Sequence, residues 1–167
     1  MGDKGGGEQL FRGIRVGVAL GDPKAKGRPG IEIMQDIVSG ALPTPPICRS
    51  LNFWLAEIHP GRAVFEGEPG FESLNPLGSV PGGWALTLID SAAGCACMSL
   101  LDAGVGYTTV ETKGNMVRVI KPDSGRYRCE AKILSPGRSI MTSDVHLTGP
   151  DGKLYAHGTS TLMILRP

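Results

Sequence analysis

One acid interrupts the most apolar part of the chain. Residues 75–100 read NPLGSVPGGWALTLIDSAAGCACMSL, and Asp90 is the only charged residue between Glu72 and Asp102. A carboxylate in such surroundings must be hydrogen-bonded or put to chemical use. Upstream stand Gly82 and Gly83, directly after Pro81. A helix leaves its first N–H groups without internal partners, and its dipole adds favourable potential for a carbonyl oxygen placed there. Pro81 has no N–H, so Gly82 is the first available donor and Gly83 leaves room for close approach; a plain capping turn would use the same glycines. Asn75 offers an amide, either to a small molecule or to the turn before Pro76. Thr108 and Thr109 offer hydroxyls, which cross-strand pairing would also use. Arg118, Lys121, Arg126 and Arg138 can form an anion-binding surface or stand solvated.

The elements that must hold these groups follow from pattern. Residues 75–83 are turn chemistry. From Trp84 onward the chain is apolar on most faces and rich in alanine, which predicts a buried helix of roughly 18 residues, about 27 Å long. Gly94, one turn after Asp90, weakens that helix and points to close packing or ligand clearance. Residues 31–39 have helical spacing and end at Gly40. Residues 41–47, with three prolines, are expected as an extended link without helix. Strands are expected at 51–58, 62–71, 106–119, 127–134, 139–148 and 154–165, separated by turns at 59–61, 121–126, 135–138 and 149–153. In 106–119 the alternation places Tyr107, Thr109, Glu111 and Lys113 on one side and Thr108, Val110 and Thr112 on the other; Gly114 marks a bulge or close approach. One antiparallel sheet around one buried helix is the economical arrangement, an α+β fold. The helix still has a face to cover, so a second copy is expected, with the sheets joined edge to edge.

The chain has 167 residues, enough for one domain with a real core. Residues 1–30, polar and glycine-rich, are expected as a flexible or extended arm, and 31–167 as the domain. Seventeen basic and sixteen acidic residues leave a net charge of +1, which argues against bulk nucleic-acid or membrane binding. No signal peptide and no membrane span are expected, and the four cysteines, none in CxxC spacing, read as small buried thiols of a reducing, cytoplasmic compartment. His59, His146 and His157 fall in no ligand motif, so no metal is expected. No G-x-S-x-G nucleophile elbow is present.

Asn75, Gly78, Gly82-Gly83 and Asp90, with 110–113, Lys121-Pro122, Gly137-Arg138 and 151–153, resemble the hotdog-fold thioesterases, specifically the phenylacetic-acid-degradation (PaaI-like) acyl-CoA thioesterases. The resemblance spans roughly residues 30–165. It departs from the family at Pro81, where the family has histidine. The resemblance implies a hotdog fold and hydrolysis of a small or medium acyl-CoA or aryl-CoA thioester. Asp90 would be general base or direct nucleophile, Gly82 the oxyanion donor, Asn75 the amide that holds water or the thioester oxygen, and Thr108 a water-positioning hydroxyl. Gly83, Arg118, Lys121, Arg126 and Arg138 would bind substrate. No cofactor is implied, since CoA is part of the substrate. A homodimer or dimer of dimers is implied, with Asp90 of one subunit facing Asn75 and Gly82 of the other. Alternatives on the same scaffold are acyl-CoA binding without turnover, hydration of an enoyl thioester, and a purely structural dimer.

Overall fold

The computed structural model describes residues 9–167. Six antiparallel strands form one sheet, and one long helix packs against it. After a two-stranded ribbon, β1 (Leu10–Phe11) and β2 (Ile14–Arg15), the strands are β3 (Phe53–His59), β4 (Arg62–Gly67), β5 (Gly106–Met116), β6 (Tyr127–Pro136), β7 (Ile140–Thr148) and β8 (Leu154–Leu165), paired in the order β3-β4-β6-β7-β8-β5. The helix is α3 (Gly82–Met98), close to the length expected from its apolar run. Every strand of the sheet lies within or close to its expected segment. This is the α+β hotdog architecture.

Alanine is what lets α3 sit so deep. Ala85, Leu88, Ile89, Ala92, Ala93 and Ala96 are wholly buried, and the four short alanines allow the sheet to close on the helix around Leu88 and Ile89. Trp84 anchors its first turn: the indole N–H donates to the carbonyl of Leu51 (2.9 Å), and the ring meets Tyr127 edge-on. At the other end the Ser99 hydroxyl donates to the carbonyl of Ala96 (2.7 Å) and accepts from the N–H of Gly61 (2.8 Å), tying the helix end to the β3–β4 turn. Gly94 is there for packing: a Cβ at this position would lie 2.3 Å from the Tyr107 hydroxyl oxygen. Gly83 is exposed, and Leu86, Thr87, Asp90 and Ser91 are only half-buried. Together they form the stripe of α3 that the sheet leaves uncovered.

The segment before the sheet differs from expectation in one place. Helix α1 (Gly30–Ser39) buries Ile33, Met34 and Ile37 and ends at Gly40 with φ +81°. The proline-rich link is shorter than predicted, because Pro45 caps and Pro46 opens a short helix, α2 (Pro46–Leu51). Proline excludes helix only from its interior and is favourable at the first position, so the last prolines start a helix. Residues 10–25 lie against the domain: β1 (Leu10–Phe11) and β2 (Ile14–Arg15) form a small ribbon, two 3₁₀ turns follow, and Ala19 and Ala25 join the core. The Arg12 guanidinium lies 3.7 Å over the Trp54 ring. Residues 1–8 of the expected arm lie outside the described residues. Among the described residues no helix is long and apolar enough to cross a membrane.

Candidate active site

Asp90 is held by its own sheet. The Thr112 hydroxyl of β5 donates to one Asp90 carboxylate oxygen at 2.9 Å. Thr112 Oγ1 is also 2.9 Å from the Ser160 hydroxyl of β8, and Ser160 Oγ is 3.0 Å from the carbonyl of Glu111. Ser160 is completely buried. The result is a line of four groups, carboxylate, hydroxyl, hydroxyl and carbonyl, running from the uncovered stripe of α3 into the sheet.

Each hydroxyl has one proton to donate, an ionised carboxylate has none, and the carbonyl only accepts. With Asp90 ionised, two protons serve three contacts, and Ser160 must choose between Thr112 and Glu111. With a proton on Asp90, three protons serve three contacts and every link can be a hydrogen bond. The line therefore accommodates the carboxylate in either state by turning two hydroxyls.

Thr112 reaches Asp90 because β5 carries a bulge. The β5–β8 register shifts between Thr109 and Glu111, leaving Val110 extra. Before the bulge Tyr107 and Thr109 pair with Ile164 and Leu162; after it Thr112 and Gly114 pair with Ser160 and Gly158. Simple alternation groups Thr112 with Thr108, but an inserted residue turns the later positions over. Thr108 is exposed, pairs with the part-exposed Met163, and is not brought to the Asp90 of its own chain.

Asn75, Gly82 and Arg118 do come together, around an open groove of about 360 Å³ also lined by Ser79, Pro81 and Met116. Asn75 is engaged in its own turn. Its side-chain oxygen accepts from the N–H groups of Leu77 (2.9 Å) and Ser79 (3.2 Å), and its Nδ2 donates to the Ser79 hydroxyl (3.0 Å). One proton on Nδ2 is left over from that set. Pro81 is the N-cap of α3 with no side-chain capping bond, and Gly82 is the first helical residue and exposed. Met116 lies over Gly82, with its Cε and Cγ 3.2 and 3.4 Å from where a Cβ would stand. Gly83 faces open space.

The other basic candidates are dispersed. Arg118 donates to the carbonyl of Leu154, and Lys121 is exposed in the following loop. Arg126 is paired with Glu66 and Glu68, both at 3.0 Å, and stands 5.2 Å from the Trp54 ring. Arg138 sits in the β6–β7 turn beside Ile140, whose partner Met163 also pairs with Thr108. Arg138 and Arg118 thus lie toward opposite ends of β5, separated by roughly 26 Å of strand. Among the described residues no cluster of acids, histidines and cysteines could hold a metal ion, and all four cysteines are free.

The model of the Thioesterase superfamily matches residues 77–156, from the turn before α3 into β8. Over those 80 of its 167 residues the chain is similar to that superfamily, and its architecture is the hotdog fold. Among relatives, SSO2140 of Saccharolobus solfataricus, provisionally named an esterase, is 28% identical over 120 residues, covering 72% of this chain and 84% of its own length. Among solved structures, AziG of S. sahachiroi superposes with a TM-score of 0.70 at 24% identity, covering 73% of this chain and 98% of that one. The protein smu.793 of Streptococcus mutans, solved with acetyl CoA bound, gives 0.63 at 24%, covering 70% and 92%. At these identities the structural matches speak for the hotdog fold. The segment matched by the family model contains Gly82, Asp90, Thr112 and Arg118.

Proposed function

We propose that this hotdog protein hydrolyses a small or medium acyl-CoA or aryl-CoA thioester, with Asp90 as general base. The observation that carries this reading is the Asp90–Thr112–Ser160–Glu111 line. A base must hold a proton for part of the cycle, and this carboxylate has hydrogen-bonding partners in both states. Asp90 takes a proton from water as the oxygen adds to the thioester carbonyl. The negative charge gathers on the carbonyl oxygen, toward the N–H of Gly82. Collapse breaks the C–S bond, and the departing CoA thiolate recovers the proton from Asp90, leaving free acid and CoA. The Asn75 amide proton not used by its turn is available to water or to the thioester oxygen, and Thr108 to a site across the interface. Gly83, Arg118, Lys121, Arg126 and Arg138 remain the proposed contacts for the CoA portion; Arg118 is supported by its place in the groove, while Arg126 would have to exchange carboxylate partners for phosphate.

The proposed assembly is a homodimer or dimer of dimers. Gly82 and Asp90 are eight residues apart on one helix, about 12 Å along its axis. One carbonyl cannot reach both within a chain. A second α3 lying antiparallel against the uncovered stripe would place each Asp90 near the partner's Gly82.

The test is to incubate purified protein with a panel of acyl-CoAs and aryl-CoAs and to detect the released thiol. CoA release is expected, and Asp90→Asn should abolish it while leaving the melting temperature within a few degrees. Turnover that survives in Asp90→Asn, or no release from any thioester, overturns the reading. Tight CoA binding without release would instead support a binding protein on this scaffold.

A further inference from the structure

We infer that an apolar chamber roofed by residues 17–20 receives the acyl group and limits its length. The inference rests on the thioesterase reading and names the part of the substrate that reading leaves open. The chamber has a volume of about 240 Å³. Met34, Cys48, Phe65, Cys95 and Tyr107 form much of its wall, from α1, α2, β4, α3 and β5, and Leu20 stands in its roof. No charged side chain lines it. Its two thiols are neutral, because burial pushes Cys48 up to about 11 and Cys95 up to about 12. Burial likewise pushes the Tyr107 phenol upward. A phosphate has nothing to gain here, and a hydrocarbon has.

The position fits the chemistry. Cys95 follows Asp90 by five residues on α3, about 7.5 Å along the axis. The Tyr107 hydroxyl of the chamber wall lies against Gly94, one turn after Asp90 on α3, so the chamber begins about one turn from the carboxylate. A thioester carbonyl near Asp90 would therefore direct its acyl chain inward, under the N-terminal segment. The roof is fixed to the domain, as Gly17 N–H donates to the carbonyl of Thr44 (2.9 Å) and Thr44 N–H to that of Arg15 (2.8 Å). An apolar cavity of about 150 Å³ holds one benzene ring. This chamber takes such a ring with a short tether, or an alkyl chain of similar bulk, but not a long fatty chain.

The experiment is the acyl-length profile of kcat/KM, from acetyl-CoA to palmitoyl-CoA. In the wild type it should rise about fourfold per methylene that enters the chamber, then fall between octanoyl and palmitoyl. Cys95→Phe fills the chamber from α3 and Leu20→Trp fills it from the roof. Each should lower the octanoyl-to-acetyl ratio at least tenfold, and Leu20→Ala should move the cut-off to longer chains. Leu20 is 64% exposed, so its variants keep the test alive should Cys95→Phe fail to fold. Normal CoA release with the same ratio in all folded variants overturns the chamber while hydrolysis stands. If no thioester is cleaved, hydrolysis fails instead, and calorimetric titration with octanoyl-CoA and with CoA decides the chamber. An octanoyl gain at least tenfold smaller in Leu20→Trp upholds it; an equal gain, or none in the wild type, overturns it.

Discussion

Thr112→Val is the substitution that most directly questions the role given to Asp90. Valine has nearly the shape of threonine, so the side chain still fills its place on β5, but the 2.9 Å bond to Asp90 and the 2.9 Å contact with Ser160 are lost. A hydrogen bond to a charged group contributes about 1.5–3 kcal/mol. Asp90 is half-buried, and water can replace part of the bond, which argues for the low end. At about 2–4 °C per kcal/mol for a chain of this size, the melting temperature should fall by roughly 3–6 °C. The effect on catalysis should be larger. An unanchored carboxylate samples several rotamers, and loss of alignment of that order costs about 10²-fold in rate.

The assay is thiol release under saturating substrate, with calorimetric melting on the same samples. Thr112→Val should lower kcat by tenfold to a hundredfold and leave KM nearly unchanged, since the groove at Gly82 is untouched. Thr112→Ser retains the hydroxyl and should recover most of the loss. In an Asp90→Asn background, Thr112→Val should have no further effect on rate, because the two act as one unit. A Thr112→Val protein that melts lower but turns over normally would refute the reasoning. So would a Thr112→Ser protein as impaired as Thr112→Val.

Two further predictions concern the frame. Gly94→Ala would push a methyl to within 2.3 Å of the Tyr107 hydroxyl oxygen; overpacking of this kind costs about 1–3 kcal/mol, more than the roughly 1 kcal/mol a helix gains from alanine over glycine. Calorimetry should show a lower melting temperature, partly recovered by Tyr107→Phe, and a Gly94→Ala protein more stable than wild type would sink the packing account. On the outer face of the sheet the Arg62 guanidinium (2.9 Å), assisted by Lys132, holds the Glu130 carboxyl down to about 2 from its ordinary 4.5. A lowered carboxylate contributes stability that is fully present above about pH 4.5 and is lost as the pH falls toward 2. Glu130→Gln should therefore melt below wild type at pH 7 and converge with it near pH 2; parallel curves across that range would contradict the pairing.

What the sequence made legible follows the range of the forces involved. The long helix, its starting proline and glycines, and the six strands are written in local pattern and turn chemistry. Asp90 stands out because a charge in an apolar run is conspicuous. The Thr112–Ser160 pair is not legible, because it depends on Val110 being extra in β5, and nothing in GYTTVETKG marks which residue the bulge inserts. The register is set by β8 and by the core below it, forty to fifty residues downstream. The same holds for Arg126, whose carboxylate partners arrive from β4, and for α2, where prolines that terminate one kind of structure begin another. Asn75 shows the reverse: its turn-forming role is local and was visible as an alternative from the start.

The position of Asp90 on α3 bears on why this helix tolerates an acid at all. A carboxylate facing the sheet would need partners for every lone pair in a tightly packed layer, and the wholly buried positions of α3 include only uncharged side chains, Ala, Leu, Ile and Cys. Asp90 instead lies half-buried on the stripe the sheet does not cover, with one oxygen bonded to Thr112. Thr112 and Ser160 give that carboxylate a polar route into an apolar sheet, while Gly82, eight residues away, keeps an exposed N–H at the helix start. In the proposed assembly a second copy brings the carboxylate of one open stripe and the uncapped helix start of the other to the same small molecule, with α3 and the edge strand β5 beside it as the receiving surface.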